Sequence, residues 1–212
     1  VRGTESIKGL GIEKLKEYWQ KFFLGQKSGI DMPAEAAGFL PDPAEKEERT
    51  GQIWRIGDTY NVTIGQGDLL VTPLQLVNIA AAFANGGKLY RPRLVRSPDQ
   101  SPETLWDFSS WNTELKEVQK GMEDVVRKPY GTASLLSYLP VPAAGKTGSA
   151  QVANNTRTNA FFVGYAPVEN PQIAILVLIE NAREGSLNAV PIAKDVLEWY
   201  YYNRIATKSL SH

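Results

Sequence analysis

Apolar positions along the chain change their spacing part-way, and the change separates a helical part from a strand-rich part. From Gly11 to Phe23 the apolar residues Ile12, Leu15, Trp19, Phe22 and Phe23 recur at helical intervals, which predicts a helix stopped at Gly25. Residues 26–60 lose that periodicity. Their glycines and prolines, with the charged run Asp42-Pro43-Ala44-Glu45-Lys46-Glu47-Glu48-Arg49, read as a long, solvated surface loop. Thr72-Pro73 then opens the clearest helix of the chain. Thr72 suits the N-cap, Pro73 the first helical position, and Gly86-Gly87 the stop. Its body, "LQLVNIAAAFAN", is apolar nearly all round, which predicts a central helix buried on most faces.

Residues 97–112 read as a second polar loop holding Pro98, Pro102, Trp106 and Trp111. A helix is expected next, with Leu115, Val118, Met122, Val125 and Val126 on one face, Ser110 and Asn112 as its caps, and Pro129-Tyr130-Gly131 at its end. Beyond Gly145 the pattern is that of strands. "TNAFFVGYAP" and "PQIAILVLIE" are β-branched and aromatic runs separated by a turn at Val168-Glu169-Asn170-Pro171. The unbroken apolar run Ile173–Ile179 predicts a strand covered on both faces. An amphipathic helix over 189–203, with Ile192, Val196, Leu197 and Tyr200 inward, closes the chain. The prediction is one domain over residues 1–212, a helical part followed by strand–strand–strand–helix, without internal repeats.

Composition narrows the chemistry. The 212 residues are 42% hydrophobic and 22% charged, ordinary for a globular protein. Lys plus Arg (23) equals Asp plus Glu (23), so bulk charge gives no case for nucleic acid or an anionic membrane. With no cysteine, disulfides, thiolate catalysis and zinc–thiolate sites are excluded. The one histidine is His212, which leaves no Ser-His-Asp triad within the chain. No run of 18 apolar residues predicts a membrane span. The start, Val1-Arg2-Gly3-Thr4-Glu5, lacks an initiator methionine and a signal-peptide pattern, and reads as the middle of a longer protein.

The stretch "AAGKTGSAQV" (143–152) carries the candidate chemistry. A phosphate-binding loop would need glycine five residues before Gly145, where Pro140 stands, and a helix after Thr147, where the pattern is extended. On a strand, Lys146 faces one side while Thr147 and Ser149 face the other, with Gly148 leaving room for a substrate backbone alongside. Two hydroxyls and an ammonium there suit a peptide ending in a carboxylate, and backbone N–H groups suit an oxyanion. By itself the triplet is met equally by polar residues on an edge strand. Other residues carry the same ambiguity. Asn159 suits a cleft wall or a strand-end turn, and Arg157 suits a carboxylate or solvent. Trp106 with Trp111 suits a glycan platform or hydrophobic cover, and Tyr200-Tyr201-Tyr202 suits a packing face.

Taken together, "TIGQGDLLVTPLQLVNIAAAFANGGKLYRPRLV" (63–95), "AAGKTGSAQ" (143–151), "FFVGYAP" (161–167) and "VPIAKDVLEWYY" resemble, in that order, the transpeptidase domain of class B penicillin-binding proteins. "GDTYNVTIGQGDLLVTPLQ" is most similar to the cell-elongation type, penicillin-binding protein 2. The resemblance implies an α/β (α+β) fold like that of serine β-lactamases: an antiparallel sheet flanked by helices, with a helical subdomain, here without the N-terminal part of the domain. It implies peptidoglycan D,D-transpeptidation through an acylated serine that β-lactams also attack, and no cofactor or metal. Lys146 would belong to the charge and proton network. The Thr147 and Ser149 hydroxyls would hold the substrate carboxylate, the Ser149 N–H would form half of an oxyanion hole, and Gly148 would let substrate lie close. Gln151, Asn159 and the loop Gly65-Gln66-Gly67 would frame the substrate.

The pattern breaks upstream. No serine is followed by lysine at the third position: Ser6-Ile7-Lys8 brings its lysine too early, and Thr113-Glu114-Leu115-Lys116 begins with threonine. Ser110-Trp111-Asn112 spells the family's Ser-x-Asn motif but follows the segment that the motif should precede. The expected partners are therefore an upstream segment of the same protein carrying Ser-x-x-Lys and Ser-x-Asn, peptidoglycan stem peptides, β-lactams, and a glycosyltransferase of the elongation machinery. The expected location is extracytoplasmic, with an N-terminal membrane anchor. A non-catalytic penicillin-recognising sensor or scaffold, and a D,D-carboxypeptidase or β-lactamase, are the alternatives.

Overall fold

Side-chain caps mark the starts of some helices and not of others in this chain, of which a computed structural model describes residues 9–96, 100–152 and 156–209. Val1–Glu5, Ser6-Ile7-Lys8, Pro98 and His212 lie outside the described residues. The described residues within Val1–Lys27 and Ala34–Val71 make one compact unit, and those within Ser28–Pro33 and Thr72–His212 make a second.

In the first unit, α1 (Gly11–Lys21) forms as predicted and buries Ile12. The expected loop over 26–60 instead contains two helices, α2 (Pro43–Thr50) and α3 (Ile56–Thr63). Asp42 caps α2 by accepting from the Glu45 N–H at 2.9 Å, Pro43 occupies its first turn, and Gly51 ends it in the left-handed conformation. Glu45 and Arg49 pair one turn apart at 2.6 Å. The charged run is thus a helix without a fully buried residue, exposed over Glu47, Glu48 and Arg49 and half-covered at Asp42, Glu45 and Lys46. Asp58 ties α3 to α2, accepting from the Arg55 N–H at 2.7 Å and from Lys46 Nζ at 2.6 Å.

The second unit starts with α4 (Pro73–Ala84), where Thr72 and Gln75 exchange reciprocal bonds at 3.2 and 2.9 Å. Only Gln75, Ala80 and Ala82 of this helix are buried. The expectation of burial on most faces holds only in part: the other residues but Pro73 are half-buried, and Leu76, Ile79 and Phe83 line an open groove. The expected loop over 97–112 also gives way to structure. Strand β1 (Lys88–Tyr90) pairs antiparallel with β2 (Thr104–Asp107), and a 3₁₀ turn follows over Ser109–Trp111. The next helix, α5 (Asn112–Arg127), has Trp111 at its N-cap without a side-chain cap bond, so Ser110 and Asn112 do not cap it. Asp107 instead accepts from the Ser109 N–H at 2.8 Å. Phe108, buried, lies 6.3 Å from Trp106 and 5.0 Å from Trp111, which makes the two indoles its cover.

Strands β3 (Ala144–Val152), β4 (Arg157–Ala166) and β5 (Ile173–Ala182) form an antiparallel sheet in that order. One face packs Phe162, Ile175 and Val177 on α6 (Val190–Tyr200) through Val190, Ala193 and Leu197. The other packs Ala144 and Tyr165 with Met122 of α5 and Phe83 of α4. The sheet is therefore flanked by helices, as expected. Two details differ. β5 is an edge strand, buried only at Ile175 and Val177, so its apolar run is half-covered. On α6 the inward stripe is Val190, Ala193 and Leu197, while Ile192 and Val196 are 43% and 41% exposed. The helical course continues through a widened turn, Tyr201–Ile205, to α7 (Ala206–Ser209).

Candidate active site on the edge strand

Lys146, Thr147, Gly148 and Ser149 lie in the middle of β3, an outer strand of the described sheet. An edge strand presents alternate backbone N–H and C=O groups without a strand partner. Its register sets Thr147 opposite Phe162, Ser149 opposite Ala160 and Gln151 opposite Thr158, so Thr147, Ser149 and Gln151 share one face. Lys146, opposite Val163, turns to the other face.

The glycines before and within the motif have different reasons. Gly145 pairs with Gly164, and the ring of buried Phe162 occupies the space above both. A Cβ on Gly145 would stand 2.5 Å from Phe162 Cζ, and one on Gly164 would stand 2.8 Å from the same atom. Gly145 is therefore a packing glycine. A Cβ on Gly148 would meet only the Phe161 side chain, at an ordinary 3.5 Å, so internal packing does not demand glycine there.

Lys146 lines an apolar groove of about 460 Å³ with Leu76, Phe83, Met122 and Val163. Its Nζ donates to the Thr147 carbonyl at 2.7 Å, and among the described residues no carboxylate pairs with it. Ser149 Oγ accepts from the Gly185 N–H at 3.4 Å. Gly185 opens the turn after β5 and packs directly on the strand: a Cβ there would come within 2.3 Å of the Phe161 carbonyl and 2.7 Å of the Gly148 carbonyl. Thr132, in the loop after α5, brings its Oγ1 to 2.6 Å from Thr147 Oγ1. Burial pushes the Tyr165 phenol, on the Lys146 side of the sheet, up to about 12.

The remaining sequence candidates are placed as follows. Asn159 Oδ1 accepts from the N–H of Asn181, a residue in the left-handed conformation, at 3.4 Å beside an irregularity in the β4–β5 pairing. Gly65-Gln66-Gly67 belongs to the first unit and ends α3. The Gly65 N–H bonds to Val62 O at 3.1 Å and the Gln66 N–H to Asn61 O at 2.9 Å, with both glycines at positive φ. Sequence reasoning missed Thr132 and Gly185. Pro129-Tyr130-Gly131 reads only as a helix stop with Thr132 just past it, and the bond to Thr147 spans 15 positions. Among the described residues no group of three or more His, Asp or Glu side chains could hold a metal ion, and no helix is long and apolar enough to cross a membrane.

A family model described as the penicillin-binding protein transpeptidase domain matches residues 5–198. The chain belongs to that family. It is 32% identical over 217 residues to the peptidoglycan D,D-transpeptidase MrdA of Acinetobacter baumannii, an alignment covering 92% of this chain and 32% of that protein. The chain thus spans about a third of the length of the curated relatives it matches. Among solved structures, Pseudomonas aeruginosa PBP2 in complex with WCK 5153 superposes with a TM-score of 0.82 at 35% identity, covering 92% of this chain and 45% of that one. PBP2 of Helicobacter pylori in complex with MreC gives 0.79 at 33% identity, covering 91% and 36%. In this transpeptidase-family chain, the motif strand carries hydroxyls on one face and an ammonium on the other, at an open sheet edge.

Proposed function

We propose that this chain forms the Lys-Thr-Gly wall of a serine-acylating peptidoglycan D,D-transpeptidase of the cell-elongation type, as the C-terminal portion of its transpeptidase domain. The observation that carries this reading is the edge-strand display of Thr147, Ser149 and Gln151 beside a Lys146 without an acidic partner among the described residues, in a chain of this family. A stem peptide ending in D-Ala-D-Ala lies along β3, against the gap left by Gly148. Its terminal carboxylate accepts from the Thr147 and Ser149 hydroxyls, while Lys146, on the opposite face, belongs to the charge and proton network of the site. The nucleophilic serine comes from a Ser-x-x-Lys segment outside these 212 residues, since none of their serines has that spacing.

The serine oxygen attacks the penultimate carbonyl, and the Ser149 N–H donates to the oxyanion that forms. D-Ala leaves with a proton, and the amine of a second stem then takes the acyl group from the serine. Gln151 and Asn159 frame the peptide, and no cofactor takes part. β-lactams acylate the same serine. Extracytoplasmic placement, an N-terminal membrane anchor and a glycan-polymerising partner belong to the same proposal. The complex of a similar PBP2 with MreC supports assembly with other proteins.

The test is labelling with a fluorescent penicillin, with an intact mass for every labelled polypeptide. Label is expected on a polypeptide that contains both this chain and a Ser-x-x-Lys segment, and not on one limited to these 212 residues. Label on the 212 residues alone, or none on the longer polypeptide, overturns the assignment.

A further inference from the structure

Thr132 sits in the loop that joins α5 to the 3₁₀ turn Ser134–Tyr138, and its neighbours on both sides are pinned. The Gly131 N–H donates to Lys128 O at 2.9 Å, and a Cβ on Gly131 would lie 2.1 Å from the Val125 carbonyl oxygen. Ala133 is wholly buried and donates its N–H to the same Val125 carbonyl at 3.1 Å, while the Ser134 N–H returns to Gly131 O at 3.1 Å. Between these fixed points the Thr132 side chain is exposed and contributes nothing to the core. Its hydroxyl meets the Thr147 hydroxyl at 2.6 Å. The sequence therefore fixes the backbone around an exposed hydroxyl aimed at the motif strand.

A threonine hydroxyl has one proton to donate and two lone pairs that accept. Within the Thr132–Thr147 pair either oxygen can be the donor. A carboxylate only accepts, so an anion at Thr147 selects one direction: Thr132 donates to Thr147, and Thr147 donates to the anion. In that chain each bond polarises the next, and the Thr147 proton becomes a better donor than it would be alone. The contact also fixes which χ1 position of Thr147 carries the oxygen.

From this geometry we infer that Thr132 is a positioning residue that orients and polarises the Thr147 hydroxyl toward the carboxylate of the substrate or β-lactam. The inference rests on the proposed transpeptidase reading and adds to it a residue from outside the motif strand. Losing a hydrogen bond that supports a charged acceptor weakens binding by about tenfold.

The experiment measures second-order acylation of the protein carrying this chain and its nucleophilic serine. Two probes are used, a penicillin and the same penicillin as its methyl ester. In Thr132→Val, which keeps the shape and loses the hydroxyl, the free acid should slow by about tenfold and the ester by less than about twofold. Thr132→Ser should keep the acid-over-ester preference within about threefold of the parent. The double variant Thr132→Val with Thr147→Val should be no worse than Thr147→Val alone, because the two hydroxyls act as one unit. Equal slowing of both probes by Thr132→Val overturns the inference, since a merely structural role would act that way. A preference lost in Thr147→Val but kept in Thr132→Val overturns it while leaving the carboxylate site in place. A preference kept in both variants removes Thr147 from the carboxylate site, and the proposed reading of that residue falls with it.

Discussion

Gly145→Ala adds a single methyl group to the motif strand, and its cost follows from the packing of Phe162. The new Cβ would lie 2.5 Å from Phe162 Cζ and 2.7 Å from the Val163 carbonyl oxygen. Carbon–carbon contacts are comfortable at about 3.5–4.0 Å, so the ring must withdraw by about 1 Å. Phe162 is fully buried in one cluster with Leu136, Val190, Ala193 and Leu197, so the ring can withdraw only by displacing close-packed neighbours. Overpacking of this kind costs about 1–3 kcal/mol, and we expect about 2 kcal/mol, or a fall of about 4–8 °C in Tm for a chain of this size. The assay is urea and thermal unfolding of a double-mutant cycle with Phe162→Leu, whose shorter side chain vacates the contested space. In that background Gly145→Ala should cost about 1 kcal/mol less. A single-variant cost below about 0.5 kcal/mol, or a cost unchanged by Phe162→Leu, refutes the assignment of Gly145 as the glycine that admits the ring.

Three further perturbations test other parts of the fold. Burial raises the Tyr165 phenol to about 12, against about 10 unfolded, so its contribution is complete below pH 10 and is lost as pH climbs toward 12. Tyr165→Phe should remove about 2 kcal/mol of that alkaline slope in unfolding measured from pH 9 to 12. The carboxyl of Asp42 is held below its ordinary range first by the Glu45 N–H and then by Lys16, so its support of α2 is present above about pH 4 and fades as pH falls further. Asp42→Ala should cost about 1 kcal/mol at neutral pH, seen as faster amide exchange in α2 and less dependence on acid. Gly131→Ala would drive a Cβ against the Val125 backbone at 2.1 Å, where no side chain can yield. It should cost more than about 2 kcal/mol, read as a fall in Tm.

What the sequence reveals depends on how local each signal is. Thr72-Pro73 and Gly86-Gly87 bracket α4 within its own stretch, and the residues of β4 and β5 state their strand preference without outside help. α2 escaped an apolar-periodicity reading because it has no buried residue, although Asp42, Pro43 and Gly51 spell both of its ends. β1 and β2 are three and four residues long, and only their pairing with each other makes them strands. On α6 two apolar stripes interleave. The one with the larger residues, Ile192 and Val196, faces outward, because Ala193 lets the helix approach the sheet. The candidate site divides in the same way. Lys146 to Ser149 are legible because they are contiguous on one strand, whereas Thr132 is invisible until a folded loop carries it across 15 positions. Gly145 marks the limit most sharply. Its lack of a side chain can be read from the letters as a demand for space, but a phosphate, a substrate and a neighbouring ring would all make the same demand. Only the position of Phe162, 17 residues further on, decides among them.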